Sequence, residues 1–488
     1  MPNHRILSAG ARLAAVLMFS SVARAAPAAP DTSLQQLEAQ IAELRQSYEA
    51  RLQSLESRLA ELQQTQQARL ADAPAPAQPP AQRAALPATP SNAPSSGAGL
   101  AGAARPATNT AFNPAISLIL NGRYAHLSRD PADYRLQGFL PSGDEVGPGE
   151  RGLRLGESEL GFAASIDPTF SGRLTLAFDG DEVEVEEALF ERQGPFDGAS
   201  LAAGRFLSSV GYLNNQHSHA WDFVDAPLAY QAFFGGQLRT DGLRLRWLAP
   251  TQRYLELGAE VGAGSGFPGN ERNSNAPGMY ALYAHLGDDI GVSSSWRAGV
   301  SLLSHRASQR QWEDTDDAGT AVVNAFGGRS RTLVLDGVYK WAPNGNPTQR
   351  NLKIQGEYFE RRDRGTLAFD TESAASLLGD YRARQSGWYL QAVYQFMPMW
   401  RVGARYDRLS SGTPGIGLVD SGALTRADFP RLASANPSRT TLMVDYSLSE
   451  FSRFRLQLAN DRSRLGDADH QIFLQYIMSL GAHGAHTF

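Results

Sequence analysis

Two histidines stand two residues apart in His217-Ser-His219, and the carboxylates Asp222 and Asp225 follow directly, interleaved with Trp221 and Phe223. Imidazole nitrogen and carboxylate oxygen are ligands suited to zinc or a related divalent ion, so His217, His219, Asp222 and Asp225 form a candidate weak metal site. The spacing alone is a weak signal, and the plainer reading is a structural loop anchored by its two aromatic rings. No cysteine occurs, which removes thiolate metal sites and a cysteine nucleophile. Serines and histidines are plentiful, but nothing in their order unites a nucleophile, a base and an oxyanion donor, and no enzyme is expected.

A second charged set alternates with apolar residues. Arg173, Arg244, Arg246, Arg297, Lys340, Lys353, Arg401, Arg405, Arg453 and Arg455 share polar faces with Asp179, Glu182, Glu184, Glu186, Glu256, Glu260, Asp336, Glu357, Asp407 and Asp445. If those faces line a lumen, the two signs balance, and strong ion selectivity does not follow, because selectivity needs a net field or a ring of one sign. The charges are nevertheless segregated. Acidic groups collect on the fourth alternating segment and basic groups on the thirteenth and fifteenth, a placement that would set up a transverse field or serve pairing between strands.

The elements that must carry these groups are strands. From about residue 113 to 488, apolar and polar residues alternate over segments of roughly ten, the period of a sheet with one apolar face. Sixteen such segments begin near 115, 153, 169, 182, 199, 242, 252, 278, 295, 330, 349, 386, 399, 438, 451 and 469. Short turns such as Asp167-Pro168 and 343–347 alternate with long connections at 128–152, 209–240, 307–328, 362–383 and 411–437. Short turns on one rim, long loops on the other and an even strand number predict a closed transmembrane β-barrel of the outer-membrane kind. Trp247, Trp296, Trp341, Phe396, Trp400 and Tyr446 sit beside short turns on the apolar face, as an interfacial girdle requires.

The preceding residues have other tasks. Arg5 and Arg12, the apolar run 13–19 and Ala23-Arg24-Ala25 make a secretory signal over 1–25, too short to span a membrane as a helix. Within 26–70, Leu34, Leu37, Ile41, Leu44, Tyr48, Leu52, Leu55, Leu59 and Leu62 trace a heptad seam with one stutter, which predicts a periplasmic coiled coil and a homotrimer. Residues 71–112 are a linker rich in alanine and proline. The formal net charge of -5 over 488 residues argues against nucleic-acid binding.

Several stretches resemble porins of the phosphate-selective O and P type and their uncharacterised relatives: 113–122 (NPAISLILNG), 203–206 (AGRF), 211–225 (GYLNNQHSHAWDFVD) and 385–391 (QSGWYLQ). The resemblance implies a sixteen-strand barrel, usually trimeric, whose inward-folded loops narrow a pore for small hydrophilic or ionic solutes. In such a pore, Arg244, Arg246, Arg297, Lys353, Arg401, Arg405, Arg453, Arg455, Glu184 and Glu186 are expected on the wall, and His217, His219, Trp221, Asp222 and Asp225 at the constriction. The chain departs from the phosphate-selective pattern, since its only lysines are Lys340 and Lys353. Terminal Phe488 resembles the aromatic read by the barrel assembly machinery. A gated receptor for a metal or its chelate and a structural tether of the outer membrane are the alternatives.

Overall fold

The computed structural model describes residues 114–142, 146–180 and 182–481. The secretory signal, the coiled coil, the linker and Phe488 lie outside these residues. Among the described residues no helix is long and apolar enough to cross a membrane, so any crossing falls to strands.

Sixteen antiparallel strands close into a barrel. In chain order they are β1 (Ala115–Leu127), β2 (Gly152–Leu155 and Ser158–Ser165, interrupted at Gly156), β3 (Phe170–Asp179), β4 (Glu182–Gln193), β5 (Ala199–Leu207), β6 (Arg239–Leu248), β7 (Tyr254–Gly262) and β8 (Met279–Ile290). There follow β9 (Ser294–Thr315), β10 (Ala321–Trp341), β11 (Asn351–Phe369), β12 (Leu377–Met397), β13 (Trp400–Ser410), β14 (Ser438–Ser449), β15 (Ser452–Arg462) and β16 (Asp469–Gly481). Pairing of β1 with β16, Ser117 opposite Gly481 through Leu127 opposite Gln471, shuts the sheet. Closure leaves no unpaired edge, the condition a sheet must meet in lipid.

The alternation sorts side chains as expected. Leu282, Leu302, Leu390, Leu442, Leu458 and Leu474 point outward and are exposed, whereas their strand neighbours point into the barrel and are buried. An apolar outer belt above an aromatic rim is the surface that lipid requires. At the short-turn rim Trp400 and Tyr446 pack as a tilted pair with ring centroids 4.7 Å apart, and Phe454 and Tyr476 likewise at 4.4 Å.

Two connections expected to be loops are strands instead. β9 and β10 have 22 and 21 residues and turn only at 316–320, and β11 and β12 have 19 and 21 and turn at 370–376. About ten residues suffice to cross a bilayer, so both hairpins stand tall beyond it. The segments at 307–328 and 362–383 therefore consist mostly of paired strand. The cue failed for a physical reason: beyond the lipid the outward positions change from Leu and Val to Arg, Ser and Glu, so the apolar face ends while the hydrogen-bond ladder continues. The connection 411–437 does stay a loop, holding a two-residue strand at Gly415–Ile416, a short helix at Gly417–Asp420 and two 3-10 turns. Its Leu418, Phe429 and Leu432 bury against Phe326, Leu367 and Tyr381 inside the tall hairpins.

Candidate functional site: a loop bound inside the barrel

The 208–238 connection between β5 and β6 folds into the lumen. It enters through Ser208, whose hydroxyl donates to Glu260 on β7 at 2.6 Å, and the Ser209 amide donates to the same carboxylate at 2.8 Å. The amides of Tyr212 and Leu213 then donate to Glu357 on β11 at 3.1 and 3.0 Å. A short helix, α1 (Leu228–Phe234), follows; its N-terminal Leu228 amide donates to Asp407 on β13 at 3.0 Å, and Gly235 ends it at a left-handed φ of 68°. Every residue of α1 is buried. Phe233 stacks on Phe359 at 5.6 Å, Tyr230 meets Phe359 edge-on at 5.1 Å, and Leu228 joins the cluster with Tyr389 and Leu409. Each such side chain withdrawn from water contributes about 1.5–3 kcal/mol. The wall of the barrel thus carries an apolar seat, and α1 occupies it.

Between entry and helix the loop spans the lumen, and its charges oppose those of the wall. Its first half meets acidic β2 and β4. His217 Nδ1 lies 3.0 Å from Glu186 and 3.2 Å from Glu159, its Nε2 lies 3.2 Å from Glu187, and His219 Nδ1 lies 2.6 Å from Glu159. Carboxylates facing both nitrogens of His217 can both accept only if both carry protons, so the ring is an imidazolium. Burial alone would lower its pKa; Glu159 and Glu186 override burial and hold it well above the usual histidine range.

The second half meets the basic wall. Asp222 pairs with Lys353 on β11 and with Arg401 on β13 at 3.3 Å, and accepts from Gln391. Asp225 pairs with Arg405 on β13 at 2.8 Å and with Arg439 on β14. Burial would raise both acids. The cations prevail, keeping Asp222 below the ordinary carboxylate value and Asp225 at about 2. Arg453 and Arg455 on β15 donate to the carbonyls of His219 and Trp221 at 2.7 and 3.0 Å. Phe223 is fully buried against Val393 and Met443, with the Arg405 guanidinium over its ring, and Trp221 is also buried.

The four residues expected to share a metal are therefore not brought together. The loop turns through a 3-10 helix at Ser218–Ala220 and a run of bends over 221–225, and the imidazoles reach one wall and the carboxylates the other. Where metal-capable donors do converge among the described residues, they are His217, Glu159 and Glu186, with donor atoms all within 4.8 Å. Their convergence is already served by the protons on His217.

The remaining wall residues fall on the barrel's inner face, in differing company. Arg244 is buried and donates to the Leu207 carbonyl at 3.1 Å; Arg246 pairs with Glu191 at 2.9 Å; Arg297 lies over the Tyr212 ring and donates to the Gly211 carbonyl at 3.3 Å. Arg455 is held by Asp445 at 2.7 Å. Glu184, half exposed, meets Arg239 at 2.8 Å near the long-loop end of β4. Glu159, Glu187 and Arg439 belong to the site but were not singled out from sequence. Strict alternation would have found Glu159 on β2 and Arg439 on β14. Glu187 was hidden by a bulge opposite Thr175 and Leu176, which turns both Glu186 and Glu187 inward.

A closed sixteen-strand antiparallel barrel, apolar outside and crossed inside by a charge-matched loop, defines the class: a β-barrel of the membrane-spanning kind. An uncharacterised protein of Aquifex aeolicus (strain VF5) is 32% identical to the chain over 408 residues, 78% of this chain and 81% of the relative, and the chain belongs to its family. No family model matches. Among solved structures, OmpT of Vibrio cholerae lacking its loop L8 aligns over 75% of this chain and 99% of its own, with 9% identity and a TM-score of 0.49. The outer membrane channel DcaP of Acinetobacter baumannii aligns over 75% and 97%, with 13% identity and a TM-score of 0.45.

Proposed function

We propose that the chain is an outer-membrane porin through which small hydrophilic solutes diffuse, with the 208–238 loop as its constriction. The observation carrying this reading is the loop's position: it crosses the lumen and is held by ion pairs to both walls. A lumen built only to be filled would need no such charged lining. Equal numbers of opposite charges suggested weak selectivity, but accessibility refines that count. Among the inward groups of the short-turn half, Glu187, Glu191, Asp222 and Asp445 are largely covered by their partners, while Arg173, Arg246, Lys353 and Arg401 keep about a fifth of their side chains open to solvent. The field met by a solute there is positive, and we assign the pore a modest preference for anions. The motif likeness to the phosphate-selective type agrees in sign, although arginine replaces most of the lysine.

Conductance of the purified protein in a planar bilayer, with reversal potentials in unequal potassium chloride, tests the reading. We expect a steady ohmic conductance and a reversal potential on the anion side. Absence of conductance would overturn the porin, and a cation preference the charge argument. The homotrimer belongs to the same proposal, supported by the leucine seam of 34–62. Deleting 26–112 should leave a folded barrel and weaken the trimer in mild detergent, as read by light scattering. Weak zinc binding falls to His217, Glu159 and Glu186, whose donor atoms converge, and needs a neutral imidazole.

A further inference from the structure

The outward faces of the two tall hairpins carry an arrangement that the pore does not use. Strand register places Arg306 opposite Arg329, Arg329 opposite Arg364, and Arg364 opposite Arg382, so one row of arginines runs across β9, β10, β11 and β12. One step nearer the apolar belt, Arg331 lies opposite Arg362 and Arg362 opposite Arg384. All these side chains are exposed. Glu360 pairs with Arg362 at 2.7 Å and with Arg384 at 2.8 Å, while Arg382 meets Asp380 at 4.0 Å. Among the described residues, Arg306, Arg329, Arg331 and Arg364 have no carboxylate partner.

Like charges directly opposite across strands are destabilising, and here the opposition recurs over three consecutive strand pairs. Neighbouring strands lie about 4.8 Å apart and successive outward rows about 6.7 Å, so the guanidinium groups form a lattice on a scale that multivalent anions can bridge. Guanidinium groups bind phosphate in a bidentate, charge-assisted manner. Two steps further down, the outward face changes abruptly. Val300, Leu335, Tyr358 and Trp388 form one continuous row, and Trp388 packs on Tyr406 at 5.5 Å. Tyr and Trp rings mark the boundary between headgroup and hydrocarbon.

We propose that this face binds the phosphates of an outer-leaflet lipid whose headgroup carries more than one phosphate, with its acyl chains on the Leu and Val belt below. The inference rests on the membrane placement of the barrel and not on conduction. Charge complementarity selects the headgroup, and continuity with the apolar belt makes the occupant a lipid rather than a soluble anion.

The test uses the full chain in mild detergent, probed by native mass spectrometry with bisphosphorylated lipid A, dephosphorylated lipid A and phosphatidylethanolamine. The protein should retain bisphosphorylated lipid A selectively. R306Q/R329Q/R364Q/R382Q should weaken that binding on the order of a hundredfold, as expected for several cations at an anionic membrane surface, without altering conductance. The smaller R329Q/R364Q change keeps the test decisive should the fourfold variant fail to fold, with a loss of roughly tenfold expected. Equal retention of the three lipids, undiminished binding by the variants, or a shift in oligomeric state with unchanged lipid binding would overturn the proposal; the last outcome would assign the face to a second copy of the chain. Phosphate-dependent lipid binding by a protein that does not conduct would leave this inference standing and remove the porin.

Discussion

The loop inside the barrel is gripped at its two halves by opposite chemistries. Around His217 the loop supplies the cation and the wall the carboxylates Glu159, Glu186 and Glu187. Around Asp225 the loop supplies the anion and the wall the guanidinium groups of Arg405 and Arg439. The two grips differ in what remains when the loop lets go. Crowded carboxylates relieve themselves by taking up protons, but arginine stays charged at any ordinary pH. The histidine half is thus conditional, and the aspartate half is obligatory for a folded lumen.

The largest effect should follow from breaking the obligatory half. Asp225→Ala leaves Arg405 and Arg439, each only 2% exposed, short of their principal anion, and removing one partner of a buried pair costs about 3–5 kcal/mol. Asp407 and Asp461 remain near them at 3.0 and 3.8 Å, so the lower end of that range is expected in urea unfolding of the detergent-solubilised barrel, together with a larger, noisier conductance. Asp225→Asn should lose nearly as much, because the missing quantity is charge. A change of less than about 0.5 kcal/mol, as for an ordinary surface substitution, would show the two halves to be equivalent.

His217→Gln should cost less, about 1–3 kcal/mol near neutrality, and the deficit should shrink as pH rises through the elevated pKa of His217, where the parent loses its imidazolium. A deficit undiminished in alkali would contradict the conditional character of this half.

A pH series on the unaltered protein sharpens the contrast. The pKa of His217 is raised in the folded state, so its contribution is full below the ordinary value of 6.5 and is lost as pH rises through the elevated one. Asp225 is depressed to about 2, so its contribution is full above 3.8 and is lost only as pH falls through about 2. Single-channel fluctuations should therefore increase in alkali, through release of the histidine half, and remain low through mild acid. The alkaline rise should be absent in His217→Gln.

The smallest effect belongs to Glu184→Gln. Its pair with Arg239 is close but half exposed, and such pairs contribute about 0–1 kcal/mol. Stability and loop noise should both stay near those of the parent, which makes the variant a control for substitutions of wall charge as such.

Much of this architecture was legible in the residues. The segregation of acidic from basic strands was visible before any contact was known, and the structure supplies its occupant: a loop whose charges complement both walls. Trp221 and Phe223 were recognisable as anchors, yet the deeper anchor is α1, whose Leu228, Tyr230, Phe233 and Phe234 form too short a run for helical periodicity to register. The histidine and aspartate pairs looked like one cluster because they lie close in sequence. A 3-10 turn and a run of bends carry them to different walls, and contacts such as His217 with Glu186 and Arg453 with His219 join residues 31 and 234 positions apart.

The sequence by itself determined the strand number, the rim on which short turns fall and the face that meets lipid, because alternation and turn chemistry are local properties of the chain. Only the tertiary structure decided how far β9–β12 rise, that a bulge turns Glu186 and Glu187 to the same side, and which charges in the lumen are covered by partners and which remain open to a solute. Those outcomes depend on register between strands distant in sequence and on where a buried loop finds its counter-charges, and neither is encoded in any single segment.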